Sequence, residues 1–193
     1  MKFRLTFNVP KWLDCLCAWP VIKYRKFKYG YTYRKIKLND GRYTLVDPDI
    51  YYRFNDFDWC AKTCFGITYA VRFVDTNKGT KTISIHREIT NAQTDKIVDH
   101  RNRNSLDNRI DNLRFATYSQ NACNRNSNID KSKTSSMYRG VTINKKNGKW
   151  SAKISVNSKK VWLGSFTNEI DAASAYDDAA RKYHGEFARL NFS

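Results

Sequence analysis

Acidic residues are scarce in this chain: 18 Asp and Glu face 35 Lys and Arg over 193 positions, leaving a formal charge of +17 at pH 7. Between Lys131 and Asn168 there is no acidic residue at all. An excess of that size exceeds what solubility requires and points to a polyanionic partner, most simply nucleic acid, with an anionic membrane as the rival. Long apolar runs are also missing. No stretch approaches the roughly 20 apolar residues of a membrane span, and the early run from Trp12 to Ile22 is broken by Asp14 and Pro20. The expectation is a soluble intracellular protein without a signal peptide. Cysteine is sparse too: Cys15, Cys17, Cys60, Cys64 and Cys123 form an odd set with no Cys-x-x-Cys spacing, against a disulfide framework or structural zinc site. Reduced, buried thiols are the default expectation, with a metal knuckle on Cys60 and Cys64 as the alternative.

With 41% hydrophobic and 15% aromatic residues the chain can build real cores, and its length suits one large domain or two small ones. The clearest boundary is Asn126 to Ser136, NSNIDKSKTSS, polar and free of aromatics. Upstream, TYRKIKL and RYTLV flank the turn Asp40-Gly41, and ITYAVRFV and KTISIHR flank Asn77-Lys78-Gly79, so both pairs read as antiparallel hairpins. Between them, Pro48 fits a first helical position, and Ile50, Phe54, Phe57 and Trp59 line one side of a short helix. Residues 1–29 interleave Lys23, Arg25, Lys26 and Lys28 with Tyr24, Phe27 and Tyr29. That mixture could track a nucleic acid while stacking on its bases, but the alternation favours a strand with one solvated face.

The segment Val98 to Arg125, VDHRNRNSLDNRIDNLRFATYSQNACNR, concentrates the chemistry. Ile97 and Val98 should form a short strand delivering Asp99 and His100 to its end, with the imidazole facing solvent. Residues 101–111 are too polar to pack, and Asn112 to Thr117 alternate as a second strand with Leu113 and Phe115 inward. Thr117 or Ser119 can cap a helix through Gln120, Asn121, Cys123 and Asn124. A carboxylate and an amide oxygen suit a hard ion such as Mg²⁺, and an adjacent imidazole can take a proton from water near neutral pH. Arg103, Arg109 and Arg114 lie close enough in sequence to meet flanking phosphates, although loop arginines are usually only solvated.

VDH, NxLDNRxxNLR and SQN together closely resemble the HNH nucleases, in particular the homing endonucleases with a His-Asn-Asn variant. The resemblance implies a ββα-metal finger at about 96–126 in which Asp99 and Asn121 bind one divalent ion, Mg²⁺ or Mn²⁺. It also implies that His100 activates the attacking water and that Asn112 holds the loop that aims His100. The upstream YTLVDPDIYYRF, YAVRF and ISIHREI resemble the leader that precedes this finger in phage and viral members. His86 belongs to that leader; a local structural role is favoured for it over a supporting contact to the metal site.

Downstream, Tyr138 to Ile143, Trp150 to Val156 and Lys160 to Phe166 read as three strands joined by Asn147-Gly148 and Asn157-Ser158. Ala152, Ile154 and Val156 alternate with Ser151, Lys153 and Ser155, giving an apolar face and a basic one. Parity places Trp150 on the apolar side and Trp162, with Lys160, on the exposed side. Asn168 then caps EIDAASAYDDAARKYH, whose Ala172, Ala175, Tyr176 and Ala179 recur at helical spacing before Gly185. YRGV, WLGSF, EIDAASAYDDAA and GEFARLNF resemble the ethylene-response-factor (Apetala-two) DNA-binding domain over residues 137–193. That family lays a three-stranded sheet in the major groove, which implies DNA contacts by Arg139, Lys149 and Trp162. Lys153, which replaces an acidic residue there, and Lys160 join them as expected contacts. Thr142, Asn144 and Ser155 stand where plant members carry arginines, so their sequence preference does not transfer.

The expected fold class is α+β. The expected domains are a basic and aromatic segment at 1–29, an HNH nuclease domain at 30–126, a linker at 127–136 and the DNA-binding domain at 137–193. The expected function is that of a phage, viral or mobile-element hydrolase, a metal-dependent endonuclease on double-stranded DNA. It would be monomeric, need no small-molecule cofactor or membrane, and act at DNA in host cytoplasm or nucleus. A non-catalytic DNA-binding regulator on an inactive nuclease scaffold is the alternative.

Overall fold

The computed structural model describes residues 11–124 and 135–192, so part of the expected N-terminal segment and most of the expected linker lie outside the described residues. Helix and strand are mixed throughout, as an α+β chain requires. Contacts divide the chain into two units. The first takes the residues up to Gln93 together with Asn104–Arg114; the second takes Thr94–Arg103 and everything from Phe115 onward.

The first unit opens on a helix, α1 (Lys11–Tyr29), where alternation predicts a strand. Its tertiary partners explain the difference. Asp14, Ala18, Val21, Ile22 and Arg25 recur at helical spacing and line a cavity of about 300 Å³ with Arg34 and Lys35. Asp14 accepts bonds from Arg34 (2.9 and 3.2 Å) and from the Tyr52 hydroxyl (2.8 Å). Leu16, Trp19 and Phe27 are left exposed.

Strands β1 (Arg34–Lys37) and β2 (Tyr43–Val46) form the first expected hairpin, with Ile36 opposite Thr44. The short helix α2 (Tyr51–Phe54) follows, much shorter than the sequence predicts. Phe54 and Trp59 are buried as expected, whereas Phe57 is exposed. A strand absent from the sequence reading, β3 (Cys60–Cys64), precedes β4 (Ile67–Thr76) and β5 (Gly79–Ser84) in a sheet of order β3-β4-β5. Its hairpin turns through Phe65 and Gly66, both at positive φ, and its exposed CAKTC pattern carries little apolar alternation to reveal it. The expected strand KTISIHR breaks at Ser84, and His86 lies on α3 (Ile85–Ile89) instead. Ile85 is fully buried and His86 nearly so, with the His86 ring 5.7 Å from that of Tyr69.

Ile36, Leu38, Val46, Phe54, Trp59, Ala70 and Ile85 make the core of this unit. Burying such side chains contributes about 1.5–3 kcal/mol each. Onto it docks the segment 104–114: Leu45 N–H donates to the Leu106 carbonyl and Asn108 N–H to the Leu45 carbonyl, each at 2.8 Å. The buried Asn108 amide also donates to Thr44 Oγ1 at 2.7 Å.

Strands β6 (Ile97–His100) and β7 (Leu113–Ala116) form a two-stranded sheet, and α4 (Tyr118–Asn124) follows in the second unit. Leu113 is buried but Phe115 is 54% exposed, against the expectation that both face inward. Thr117 caps α4 reciprocally with Gln120: Gln120 N–H donates to Thr117 Oγ1 and Thr117 N–H to Gln120 Oε1. The three C-terminal strands β8 (Val141–Asn144), β9 (Lys149–Val156) and β10 (Lys159–Phe166) form an antiparallel sheet, and α5 (Glu169–His184) packs on it. Ala172, Ala173, Ala179 and Ala180 are buried on α5, and small side chains let the helix approach Ala152 and Ile154 closely. Asn168 caps it through Asp171 N–H at 2.7 Å. Among the cysteines, Cys17 and Cys64 are exposed and Cys60 and Cys123 half-buried, so these thiols are not the core residues expected.

Candidate functional site

Asp99 and His100 end β6, and both are buried, at 7% and 6% exposure. His100 therefore does not face solvent as expected; the last residues of a strand paired on one side and covered by α4 are screened from water. The fixing contact comes from a residue that sequence reasoning missed. Asn124 Nδ2 lies 3.0 Å from each carboxylate oxygen of Asp99 and 2.9 Å from the His100 carbonyl. One amide thus sets the carboxylate's plane and the backbone that carries the imidazole. Asn124 is itself 5% exposed, and a buried amide serving three acceptors locks α4 against β6.

Asn121 stands one turn before Asn124 on α4, and residues three apart share a helix face. That spacing was the available signal for Asn124: in SQNACN, a second Asn at i+3 presents a second amide to the same strand. A carboxylate held from one side keeps lone pairs for other partners, since its two oxygens offer about four acceptor positions. Among the described residues, no group of three or more His, Cys, Asp or Glu side chains could hold a metal. The donors near β6 are one carboxylate and side-chain amides, the oxygen-rich set a hard ion accepts together with water and phosphate.

Asn112 belongs to the other unit. Its amide donates to the Asp107 carbonyl at 2.7 Å, closing the loop 107–112 on itself, and Asp47 Oδ2 accepts from Ile110 N–H at 2.6 Å. Burial raises the Asp47 carboxyl above its usual value despite that bond.

Two arginines expected at DNA are committed within the fold. Arg109 makes a bidentate pair with Asp107 (2.8 and 2.7 Å) and lies 3.6 Å over the Tyr31 ring. The bond to Asp107 raises the Arg109 guanidinium above its usual value. Arg114 is buried at 8% exposure, so it does not lie on an open loop. Arg103, by contrast, is exposed, at φ +64, with its N–H donating to the His100 carbonyl.

On the C-terminal sheet, Lys153 pairs directly with Trp162 and Lys160 with Ser155. Lys149, Lys153, Lys160 and Trp162 are all exposed, Trp162 at 64%, while Val161 and Leu163 turn to the core. Trp150 is half-buried against that core, as parity predicts. The alternation thus leaves one face basic around a bare indole, a surface suited to phosphates and to an aromatic contact. Arg139 is placed differently: Asn191 Oδ1 accepts from its N–H at 2.7 Å, and its side chain bonds the Tyr176 hydroxyl.

Comparison with known proteins supports both resemblances at the level of family. Residues 93–123 match the HNH endonuclease family. Over 58 residues the chain is 47% identical to the AP2/ERF and B3 domain-containing transcription repressor TEM1 of Arabidopsis thaliana, covering 30% of this chain and 16% of that protein. It is 46% identical over 63 residues to the AP2-like ethylene-responsive transcription factor PLT2 of Arabidopsis thaliana, 32% of this chain and 11% of the relative. It is also 46% identical over 59 residues to the APETALA2-like protein 2 of Oryza sativa subsp. indica, 31% and 14%. The chain therefore spans only a small part of the length of these curated relatives. Among the described residues, no helix is long and apolar enough to cross a membrane.

Proposed function

We propose that this chain is a metal-dependent DNA endonuclease of the HNH homing type, in its His-Asn-Asn form, joined to an ethylene-response-factor type module that grips duplex DNA. The observation that carries the reading is the Asn124 joint, which fixes the Asp99 carboxylate and the His100 backbone beneath a helix that also bears Asn121. In this reading β6, β7 and α4 are the ββα-metal finger of a nuclease domain at 30–126, and residues 127–136 link it to the module at 137–193.

Asp99 and Asn121 would hold one Mg²⁺ or Mn²⁺. That ion, when bound, would polarise the scissile phosphate and stabilise the charge developing on it. His100 takes the proton of the attacking water as the new P–O bond forms, the bond from phosphorus to the leaving sugar oxygen breaks, and that oxygen takes up a proton from solvent water. Asn112 closes the loop 107–112 as a support for that geometry. Lys149, Lys153, Lys160 and Trp162 hold the duplex, and the protein acts where DNA is, in nucleus or host cytoplasm. The names of the relatives favour one rival: a regulator that binds DNA without cutting it, for which the burial of His100 also speaks.

Incubation of the full chain with supercoiled plasmid, with and without Mg²⁺, separates the two. The nuclease reading expects Mg²⁺-dependent nicks that disappear in His100→Ala while duplex affinity is kept. Nicking by His100→Ala at the wild-type rate would sink it, and duplex binding with no metal-dependent product would establish the regulator. In either case Lys153→Gln should lower the slope of log affinity against log salt by about 1.

A further inference from the structure

The outward side of α1 takes no part in the proposed chemistry. Asp14, Ala18, Ile22 and Arg25, at helical spacing, are half-buried and form the side that meets the fold. Arg25 also donates to the Tyr33 carbonyl. On the opposite side Leu16, Trp19, Lys23 and Phe27 recur at i, i+3, i+7 and i+11, with Tyr24 beside them, and all are exposed, Phe27 at 91%. Large apolar side chains left bare together on one helix mark a contact surface.

That surface carries charge of one sign. Lys23, Lys26 and Lys28 are exposed among the rings, and no Asp or Glu occurs from Cys15 to Asn39. Lys23 Nζ lies 3.9 Å over the Trp19 ring and Lys28 Nζ 5.6 Å over that of Tyr24. The aromatic series continues past the helix. Gly30, at φ +77, caps α1 by donating its N–H to the Lys26 carbonyl at 3.0 Å, and the turn brings the exposed Tyr29 and Tyr31 rings to 6.2 Å. Arg109, held by Asp107, braces Tyr31 from 3.6 Å over its ring.

We propose that this face is a platform for single-stranded DNA: Trp19, Tyr24, Phe27, Tyr29 and Tyr31 stack on bases while Lys23, Lys26 and Lys28 meet phosphates. Charge of one sign demands an anionic partner. A helix that lies in a membrane surface separates its apolar side from its charged side, so that one can sink into lipid. Here rings and ammonium groups are mixed on the same side, and the other side is held by the fold. A single strand, which alternates bases with phosphates, needs both within reach. A duplex keeps its base faces inside the stack, whereas an unpaired strand offers a ring face at every nucleotide. Taking the strand to be DNA rests on the proposed DNA-gripping role of the C-terminal module; the platform itself stands whether or not His100 cuts.

The test titrates a fluorescent oligothymidylate, a DNA duplex, an oligouridylate and phosphatidylserine vesicles with the full chain and its α1 variants. Tyr24→Ala and Phe27→Ala should each weaken oligothymidylate binding on the order of 10-fold, with duplex affinity little changed because the C-terminal sheet is intact. Phe27→Trp should bind as wild type, and Lys23→Gln should lower the slope of log affinity against log salt by about 0.7. Wild-type oligothymidylate binding by both alanine variants would overturn the proposal. So would a loss in Phe27→Trp equal to that in Phe27→Ala, since the helix rather than a stack would then have been lost. Tighter binding of oligouridylate or of the vesicles, abolished in the same alanine variants, would overturn the choice of DNA.

Discussion

The Asn124 joint gives the sharpest quantitative prediction. Its amide nitrogen lies 3.0 Å from both oxygens of a carboxylate that is 7% exposed. In Asn124→Ala the Asp99 carboxylate and the His100 carbonyl each have one donor fewer in a buried setting. Hydrogen bonds to charged groups contribute about 1.5–3 kcal/mol and neutral ones about 1, so the expected loss is about 3 kcal/mol. Asn124→Asp should cost more despite its nearly identical shape. It puts two carboxylates at the same separation, and at an effective dielectric near 20 they repel by about 5 kcal/mol. The pair lowers that cost by keeping a proton, so the folded pKa of one carboxyl rises above its unfolded value. The sign follows: the penalty is absent below about pH 4 and grows as pH rises through the raised value. Urea unfolding of both variants at pH 4 and pH 7, with chelator present, measures it. Because two carboxylates make a better seat for a hard cation, Mg²⁺ should restore part of the Asn124→Asp stability at pH 7 and none of the Asn124→Ala stability. An Asn124→Asp protein as stable as wild type at pH 7 without metal would refute the joint.

Two further outcomes test the packing of each unit. A Cβ at Gly140 would lie 2.1 Å from Tyr176 Cδ2 and 2.6 Å from the Lys153 carbonyl at φ +76, so Gly140→Ala should cost about 3 kcal/mol by urea unfolding; Gly148→Ala, at φ +68 in open space, should cost only about 1. Burial raises the Asp14 carboxyl, but bonds from Tyr52 and Arg34 outweigh it and hold the group below its usual value. A depressed folded pKa contributes stability above the unfolded value and loses it as pH falls through the folded one. Asp14 is 35% exposed, which limits the pair to about 1 kcal/mol. Protection of the α1 amides, taken relative to the intrinsic exchange rate at each pH, should therefore fall in acid for wild type and be equally low near neutral pH in Asp14→Asn.

Where periodicity and turn chemistry agree, local pattern and tertiary fold coincide. The C-terminal sheet and its helix are the clearest case: turns at Asn147-Gly148 and Asn157-Ser158, period-two alternation in β9, and an Asn cap all favour the same structure. The parity that exposes Trp162 and half-buries Trp150 follows from the pleat, because one face of a half-buried strand must be apolar. Failures occur where long-range partners outweigh local signal. The alternating residues before Tyr29 are helical because Asp14 and Arg25 find Arg34 and Tyr33 across the fold. His86 leaves the strand because Ile85 is drawn into the core at the point where the hairpin ends.

By itself, the sequence determined the local units: which segments alternate, where they turn and cap, how the charge is segregated, and which acid, imidazole and amides lie within reach of one another along the chain. Those properties depend on neighbours a few residues apart. Only the tertiary structure decided which amide grips Asp99, that Arg109 is committed to Asp107 and Tyr31, and that the Arg139 backbone is held by Asn191. Such pairings join residues up to 85 positions apart, Arg101 to Glu186, and arise from burial and backbone support that no local pattern encodes.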